Sequence, residues 1–455
     1  MPPVEQNVII QQLKERLNID LKHSATADNY EQALNLRVVS GDVPDVFLIP
    51  QNLMQKYAEQ GIVLDLAKYK DKLPNASKVL KDYDWLKTTV NGKIAALPRL
   101  DAIPNFGLYI RQDWLDKLGL KVPTTLDELV QVSVAFTKQD PDGNGKNDTF
   151  GYTAVPDPSG NSFNEIFMEV FNGYGTMFGK GLVIENGKAV YTINKKETRD
   201  ALEFIKKFID SGSVDPEIFT NKNNSDLDKA MKGKVGIYMT NWSSFMKGDL
   251  ADKLKQSDPT AKWVQIAAPK GPDPNNYLGV QPMGISWDRT AISAKLEKDP
   301  EKLARALEFV DYLSAGEGFN LAAYGVEGKH YKKENGKIVA LDAMKELNYT
   351  YLYQFAGRND AEYLAVKFPS NAADIAFNAT YKRITDYGTA VNTFPEGYVD
   401  AEVNKFILDQ TLNFVYGKRP FSEWDSFINT LNKQYKLDLL TEHANKVLKE
   451  KGFIK

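Results

Sequence analysis

Short apolar runs alternate with longer amphipathic ones over the first 66 residues, and this constrains the fold more than any single motif. Residues 4–17 place Val4, Val8, Ile9, Leu13 and Leu17 on one helical face. Ile19–Lys22 alternates as a strand, and a second helix is expected near Asn29–Val39, stopped by Ser40-Gly41. Val46–Ile49, inside DVPDVFLIP, reads as a short buried strand between turn residues, and a helix from about Asn52 to Gln60 stops at Gly61. Strand–helix alternation of this kind predicts an α/β fold, a parallel sheet covered by helices. At 455 residues the chain exceeds one ordinary core, so two or three lobes are expected.

The pattern continues downstream. Lys93–Pro98 and Leu108–Ile110 read as strands, the latter followed by a helix ending at Leu118-Gly119. Pro123-Thr124-Thr125 opens another helix, with Thr125 as N-cap and Glu128 three residues on, the spacing of a capping box. Val155–Asn161 is rich in Pro, Gly and Asn and predicts an exposed loop. Helices are expected at Lys196–Asp210 and Asp226–Lys232, then a strand at Val235–Met239 with Asn241-Trp242 beyond its end. Residues 269–282, with four prolines and two glycines, are the most loop-like stretch and a candidate crossing between lobes. Amphipathic helices close the chain at Pro300–Leu313, 401–417 and 421–435.

Between the 125–138 helix and the next strand lies DPDGNGKNDTFG, Asp140 to Gly151. Oxygen-bearing side chains stand at Asp140, Asp142, Asn144 and Asp148, glycines lie between them, and the Lys146 carbonyl takes the seventh place. Calcium takes six to eight hard oxygens, and alternate residues of a tight loop all point at one centre. The match with an EF-hand loop breaks at the twelfth position, where Gly151 replaces the bidentate glutamate. The missing oxygens then fall to Thr149, water or a distant residue, and the expected role of Ca2+ is structural. Asp, Asn and Gly also favour plain solvated turns, which is the competing reading.

Composition removes several classes of function. No run of 18 apolar residues exists to span a membrane. The net charge of −3, from 57 basic and 60 acidic residues well mixed, argues against nucleic acid as a partner. Cysteine is absent, which excludes disulfides, a thiol nucleophile and a Cys-based zinc site. His23, His330 and His443 lie far apart, and neither HExxH nor GxSxG occurs. The glycines of GYGTMFGKG, Gly173 to Gly181, fit no phosphate-binding loop. A two-carboxylate glycosidase is not excluded by motif, because its pair is a matter of geometry. No secretory leader is legible, which leaves a cytosolic chain or a mature form of an exported one. The 6 Trp, 22 Tyr and 23 Phe suit pockets for amphipathic ligands such as sugars, although most aromatics fill cores.

Taken in order, the pieces resemble an extracellular solute-binding protein of a Gram-positive ABC importer, in the family of maltose-type and longer-oligosaccharide binders. The resemblance runs from roughly Glu5 to Tyr435. It is carried by SGDVPDVFLIPQNLMQKYAEQGIVLDL, NGKIAALPR, LYIRQDWLDKLGLKVPTTLDEL, GKVGIYMTNWSSF and DPEKLARALEFVDYLSAGEGFNLAAYGVEGKHY. It implies a two-lobed periplasmic-binding-protein-like fold, closing on a ligand in the interlobe cleft and handing it to a membrane permease. It also implies a monomer held at the cell surface by a lipid anchor. Lobe one is expected from residues 1–108 with about 266–325, and lobe two from 109–265 with about 326–455. The family begins with a strand ahead of its first helix, whereas this sequence opens almost at that helix; either the strand was trimmed or the first lobe is built differently.

Matched by position, Asn52 stands where maltose-type members carry an acidic sugar-binding residue, and Trp242 matches their stacking tryptophan. Both follow carboxyl ends of strands, where open α/β sheets bind ligands. Arg99, after Leu97-Pro98, is placed to clamp a hydroxyl pair or a uronate, or to form a surface ion pair. Tyr277, Trp287 and Arg358 are weaker pocket candidates, for each of which a structural role is the stronger reading. The expected function is carbohydrate binding without catalysis. A secreted lyase or glycosidase with structural calcium is the alternative, and a peptide or amino-acid binder on the same fold is the third reading.

Overall fold

Val46–Ile49 finds its partner more than half the chain away. It pairs antiparallel with Arg289–Ile292, Val46 opposite Ile292 and Ile49 opposite Arg289. The structure, a computed structural model, describes residues 6–455 except 27–28, 101, 105, 155–162, 223, 242–248, 284–288, 348–351, 356–358 and 392. Because strand side chains alternate between faces, Phe47, Ile49 and Ala291 enter one apolar cluster with Leu53, Met54 and Tyr57. Val46 and Ile292 turn the other way, into a core with Ile9, Leu13, Leu64, Leu97, Leu307 and Val310.

A second, larger core is built on a four-stranded sheet. Its strands run in the order Phe150–Ala154, Val235–Asn241, Phe106–Arg111, Trp263–Ile266. Phe150–Ala154 and Val235–Asn241 are parallel, and Phe106–Arg111 is antiparallel to both of its neighbours. Leu108, Ile110, Tyr152, Ile237, Met239 and Ile266 face this core, joined there by the C-terminal Val403, Phe414, Phe427 and Leu440. On the opposite face Tyr109 and Tyr238 pack with Leu254 and Ile375.

The chain passes from the first core to the second between Leu97 and Leu108, returns between Leu278 and Ala291, and crosses again after Leu352 and before Ala390. These crossings touch one another. Tyr277–Pro282 pairs parallel with Lys382–Asp386, and Arg383 Nη1 donates to Ala102 O at 2.7 Å. Gly279 lies between them at φ +103°, a backbone conformation that side-chain-bearing residues rarely adopt; a Cβ there would stand in ordinary contact, 3.4 Å from Arg383 Cγ and 3.7 Å from Pro104 Cβ. The result is two lobes joined by three adjacent segments.

Helices with legible ends formed where the sequence placed them. Leu126–Lys138 is opened by a reciprocal box: Glu128 N–H donates to Thr125 Oγ1 at 3.2 Å, and Thr125 N–H donates to Glu128 Oε2 at 3.2 Å. Its buried Leu126, Leu129, Val130 and Phe136 anchor it to the second core, each contributing about 1.5–3 kcal/mol by area removed from water. Pro300–Ser314, Asp400–Val415 and Trp424–Lys433 likewise match, and a further helix, Leu437–Glu450, follows.

Strand expectations fared less well. Ile19–Lys22 forms no strand: the helix Val8–Leu17 ends at Asn18 with φ 49°, and Ile19 and Leu21 are instead partly buried against the first core. The expected parallel sheet is absent among the described residues: the four-stranded sheet is mixed, and of the five two-stranded sheets four are antiparallel and one, Tyr277–Pro282 with Lys382–Asp386, is parallel. Residues 269–282 hold a strand, Tyr277–Pro282. Leu347 and Leu352, expected in lobe two, are buried in the first core with Leu321 and Ala322.

Candidate functional site

The acidic loop leaves the helix Leu126–Lys138 through Gln139 and Asp140, the latter at φ 47°. Gly143 and Gly145, at φ 76° and 75°, supply the left-handed turns that fold the loop back on itself. The Asp140 carboxylate accepts from three backbone N–H groups: Gly143 at 3.1 Å and Asn144 at 3.0 Å on Oδ1, Gly145 at 3.0 Å on Oδ2. The Asn144 amide donates to Asp142 Oδ2 at 2.7 Å and to Asp148 Oδ1 at 3.1 Å. Its own oxygen accepts from Lys146 N–H at 2.8 Å. All five sequence-predicted positions thus sit in one turn; the Asn144 amide links the Asp142 and Asp148 carboxylates, while the Asp140 carboxylate is taken up by backbone N–H groups.

Electrostatics in the loop are uneven. Desolvation pushes the Asp142 pKa up, and the neighbouring Asp140 carboxyl and the Asp148 charge add to the rise. The Asp148 carboxyl is held below its usual range, first by the Lys234 ammonium and then by the Asn144 amide. Burial alone would raise Asp140; the N–H of Gly145, the Asp142 carboxyl and the N–H groups of Asn144 and Gly143 outweigh it and bring the pKa down. Thr149 does not turn toward the loop: its hydroxyl donates to Phe136 O at 2.7 Å. Among the described residues no ready-made cluster of three His, Asp or Glu metal ligands is gathered; here Asn144 and Lys234 stand against the carboxylate oxygens. Lys234 and Lys117, which donates to Pro141 O at 2.9 Å, are the loop partners that spacing arguments missed, since neither lies in the loop's own sequence.

Of the cleft candidates, Asn52, Arg99 and Tyr277 lie within the described residues. Asn52 stands in the first turn of the helix Gln51–Glu59, which follows Val46–Ile49 through Pro50; its side chain lies outside the described residues. Arg99 follows Leu97, whose N–H donates to Thr290 O at 2.7 Å across the first core; Arg99 is half-buried and has a bonded partner. Tyr277, half-buried, opens the strand of the second crossing. Asn241 proves to be the last residue of its strand, opposite Phe106. Trp242, Trp287 and Arg358 lie outside the described residues. Side chains on segments that connect two lobes are placed to touch a ligand held between them, and such a ligand favours closure by joining groups that separate when the lobes open.

A profile of the family described as "Bacterial extracellular solute-binding protein" matches residues 6–318, more than two-thirds of the chain. The polygalacturonan/rhamnogalacturonan-binding protein YtcQ of Bacillus subtilis is 28% identical over 316 residues, which cover 68% of this chain and 60% of that protein. Among solved structures, the HMO-binding, ABC-transporter-associated solute-binding protein from Bifidobacterium longum infantis shares the fold with a TM-score of 0.73 at 19% identity, covering 99% of this chain and 96% of that one. An EF-hand mutant of the Streptococcus pneumoniae substrate-binding protein FusA, in complex with fructo-nystose, does so with a TM-score of 0.63 at 22% identity, covering 98% and 95%.

Proposed function

The chain belongs to the bacterial extracellular solute-binding proteins of ABC importers, and from that premise we propose that it binds an oligosaccharide between its lobes and passes it to a membrane permease. The match over residues 6–318 carries this reading. Members of the family bind solutes without transforming them, so the chain is not a lyase or glycosidase. Two further observations support a sugar. One is the relative that binds pectic polysaccharide. The other is the placement of Arg99 and Tyr277 on adjoining crossings, where a planar guanidinium and an amphipathic ring suit hydroxyl pairs and sugar faces. Asn52, Trp242, Trp287 and Arg358 complete the proposed set by chain position. Release outside the cell with a lipid anchor fits the family; among the described residues no helix is long and apolar enough to cross a membrane.

The test is a thermal-shift array of neutral and uronate oligosaccharides against peptides. At least one glycan class should raise the melting temperature, since a ligand bound only to the native state stabilises by mass action. A shift with peptides and none with glycans would transfer the reading to a peptide binder.

Calcium at the acidic loop is part of the same proposal. Hard oxygens at alternate positions support this reading, as does the Asp142 carboxyl, raised first by burial and then by its Asp140 and Asp148 neighbours, an environment that a cation would ease. Asp140, Asp142, Asn144, Asp148 and the Lys146 carbonyl would hold the ion, whose chemistry there is charge neutralisation and cross-linking of the loop. Calcium titrated into the chelator-treated protein should give binding heat and a higher melting temperature, and Asp142→Ala should lose both. Equal melting of the two proteins in calcium and in chelator would remove the ion from this loop.

A further inference from the structure

The acidic loop meets a cation supplied by the fold itself. Asp148 has both oxygens engaged, Oδ1 by the Asn144 amide at 3.1 Å and Oδ2 by the Lys234 ammonium. Lys117 also reaches the loop, but its ammonium takes the backbone oxygens of Pro141 at 2.9 Å and Asp140 at 3.4 Å. Among the described residues, Lys234 is therefore the cation paired with a loop carboxylate.

The ammonium is aimed from outside the loop. Lys234 immediately precedes Val235–Asn241. Its N–H donates to Lys229 O at 2.9 Å, and its carbonyl accepts from Phe150 N–H at 2.8 Å. Its backbone is thus fixed between a helix and the neighbouring strand, and the side chain extends from there to the loop. Asp148 and Lys234 are each about a third exposed, so the pair is reachable by water and exchangeable.

We propose that Lys234 is a built-in substitute for the metal: it holds the acidic loop folded when calcium is absent and opposes calcium when the ion arrives. This rests on the calcium reading above. A metal ion ligated by Asp148 lies within the reach of the ammonium, and two cations on one carboxylate repel each other. The loop's stability without metal and its affinity for metal are then set against each other by one side chain.

Calorimetric titration of calcium into the chelator-treated wild type, Lys234→Met and Lys234→Arg at low ionic strength tests this, with melting of each protein in chelator. Lys234→Met should bind calcium roughly three- to tenfold more tightly than wild type and melt lower in chelator. Lys234→Arg, which keeps the charge, should follow wild type in both. At high salt the affinity gap should narrow, because the pair is partly exposed. Lys234→Gln serves as the neutral variant should the methionine form fail to fold. Absence of calcium binding by the wild type would defeat the calcium reading whatever the variants do. Calcium binding by the wild type with equal or weaker binding by the neutral variant would overturn the role of Lys234 and leave the metal site standing.

Discussion

Glu169 sits in an environment far removed from water. It is 1% exposed in the helix Met168–Gly173, and neither carboxyl oxygen has a hydrogen-bond partner. The nearby Tyr152 hydroxyl donates to Ile166 O instead. Burial pushes the Glu169 pKa up to about 8, against weaker opposing pulls from its own backbone N–H and from Tyr152. The sign of the consequence is definite. The folded state holds this proton up to about pH 8, while the unfolded chain releases it near pH 4.3. Its contribution to stability is whole at acidic pH and is lost as pH rises through that window. Melting temperature should therefore fall between about pH 5 and pH 8, and Glu169→Gln should remove that part of the slope; an unchanged profile in the variant would place the carboxyl in water. No spacing rule distinguishes this glutamate in MEVFNG, since its peculiarity is burial. The turn that carries the loop carboxylates is the opposite case, set largely by neighbours within the loop, although Lys234 from outside also holds Asp148.

At the scale of elements, what was legible was whatever announces itself locally. Pro300–Ser314 begins with Asp299, which accepts Lys302 N–H at 3.1 Å, followed by Pro300 at the first helical position. Leu303, Leu307, Val310 and Leu313 then line one face in the first core. Asp299→Ala should cost about 1 kcal/mol through the lost cap, read as a lower denaturation midpoint of the unliganded protein; no change would show that packing alone starts this helix. Strands carry no such marks. A strand is defined by its partner, and Arg289–Ile292 is no neighbour of Val46–Ile49 in any sequence window. Ile19–Lys22 alternates as a strand should, yet its backbone joins no ladder and its apolar side chains are taken up by the core. Alternation reports which face is buried, not what the backbone bonds to.

For the whole molecule, length predicted two or three lobes and the family resemblance two, whereas the contact among the crossings was not predictable. Arg383 against Ala102 and Gly279 against Pro104 bring together residues from three passes of the chain, and nothing local to any of them marks the meeting. The pairing of Val46–Ile49 with Arg289–Ile292 has a further bearing, on how the chain is made. At synthesis rates of roughly 5–20 residues per second, the early strand waits on the order of tens of seconds for its partner to emerge. The first lobe cannot complete its sheet until the second lobe's four strands have been synthesised, and the second core waits longer still, for Val403, Phe414, Phe427 and Leu440 of the C-terminal helices. Closing so long a loop slows folding through contact order far more than it weakens the folded state. The nascent chain thus holds no finished lobe through most of its synthesis.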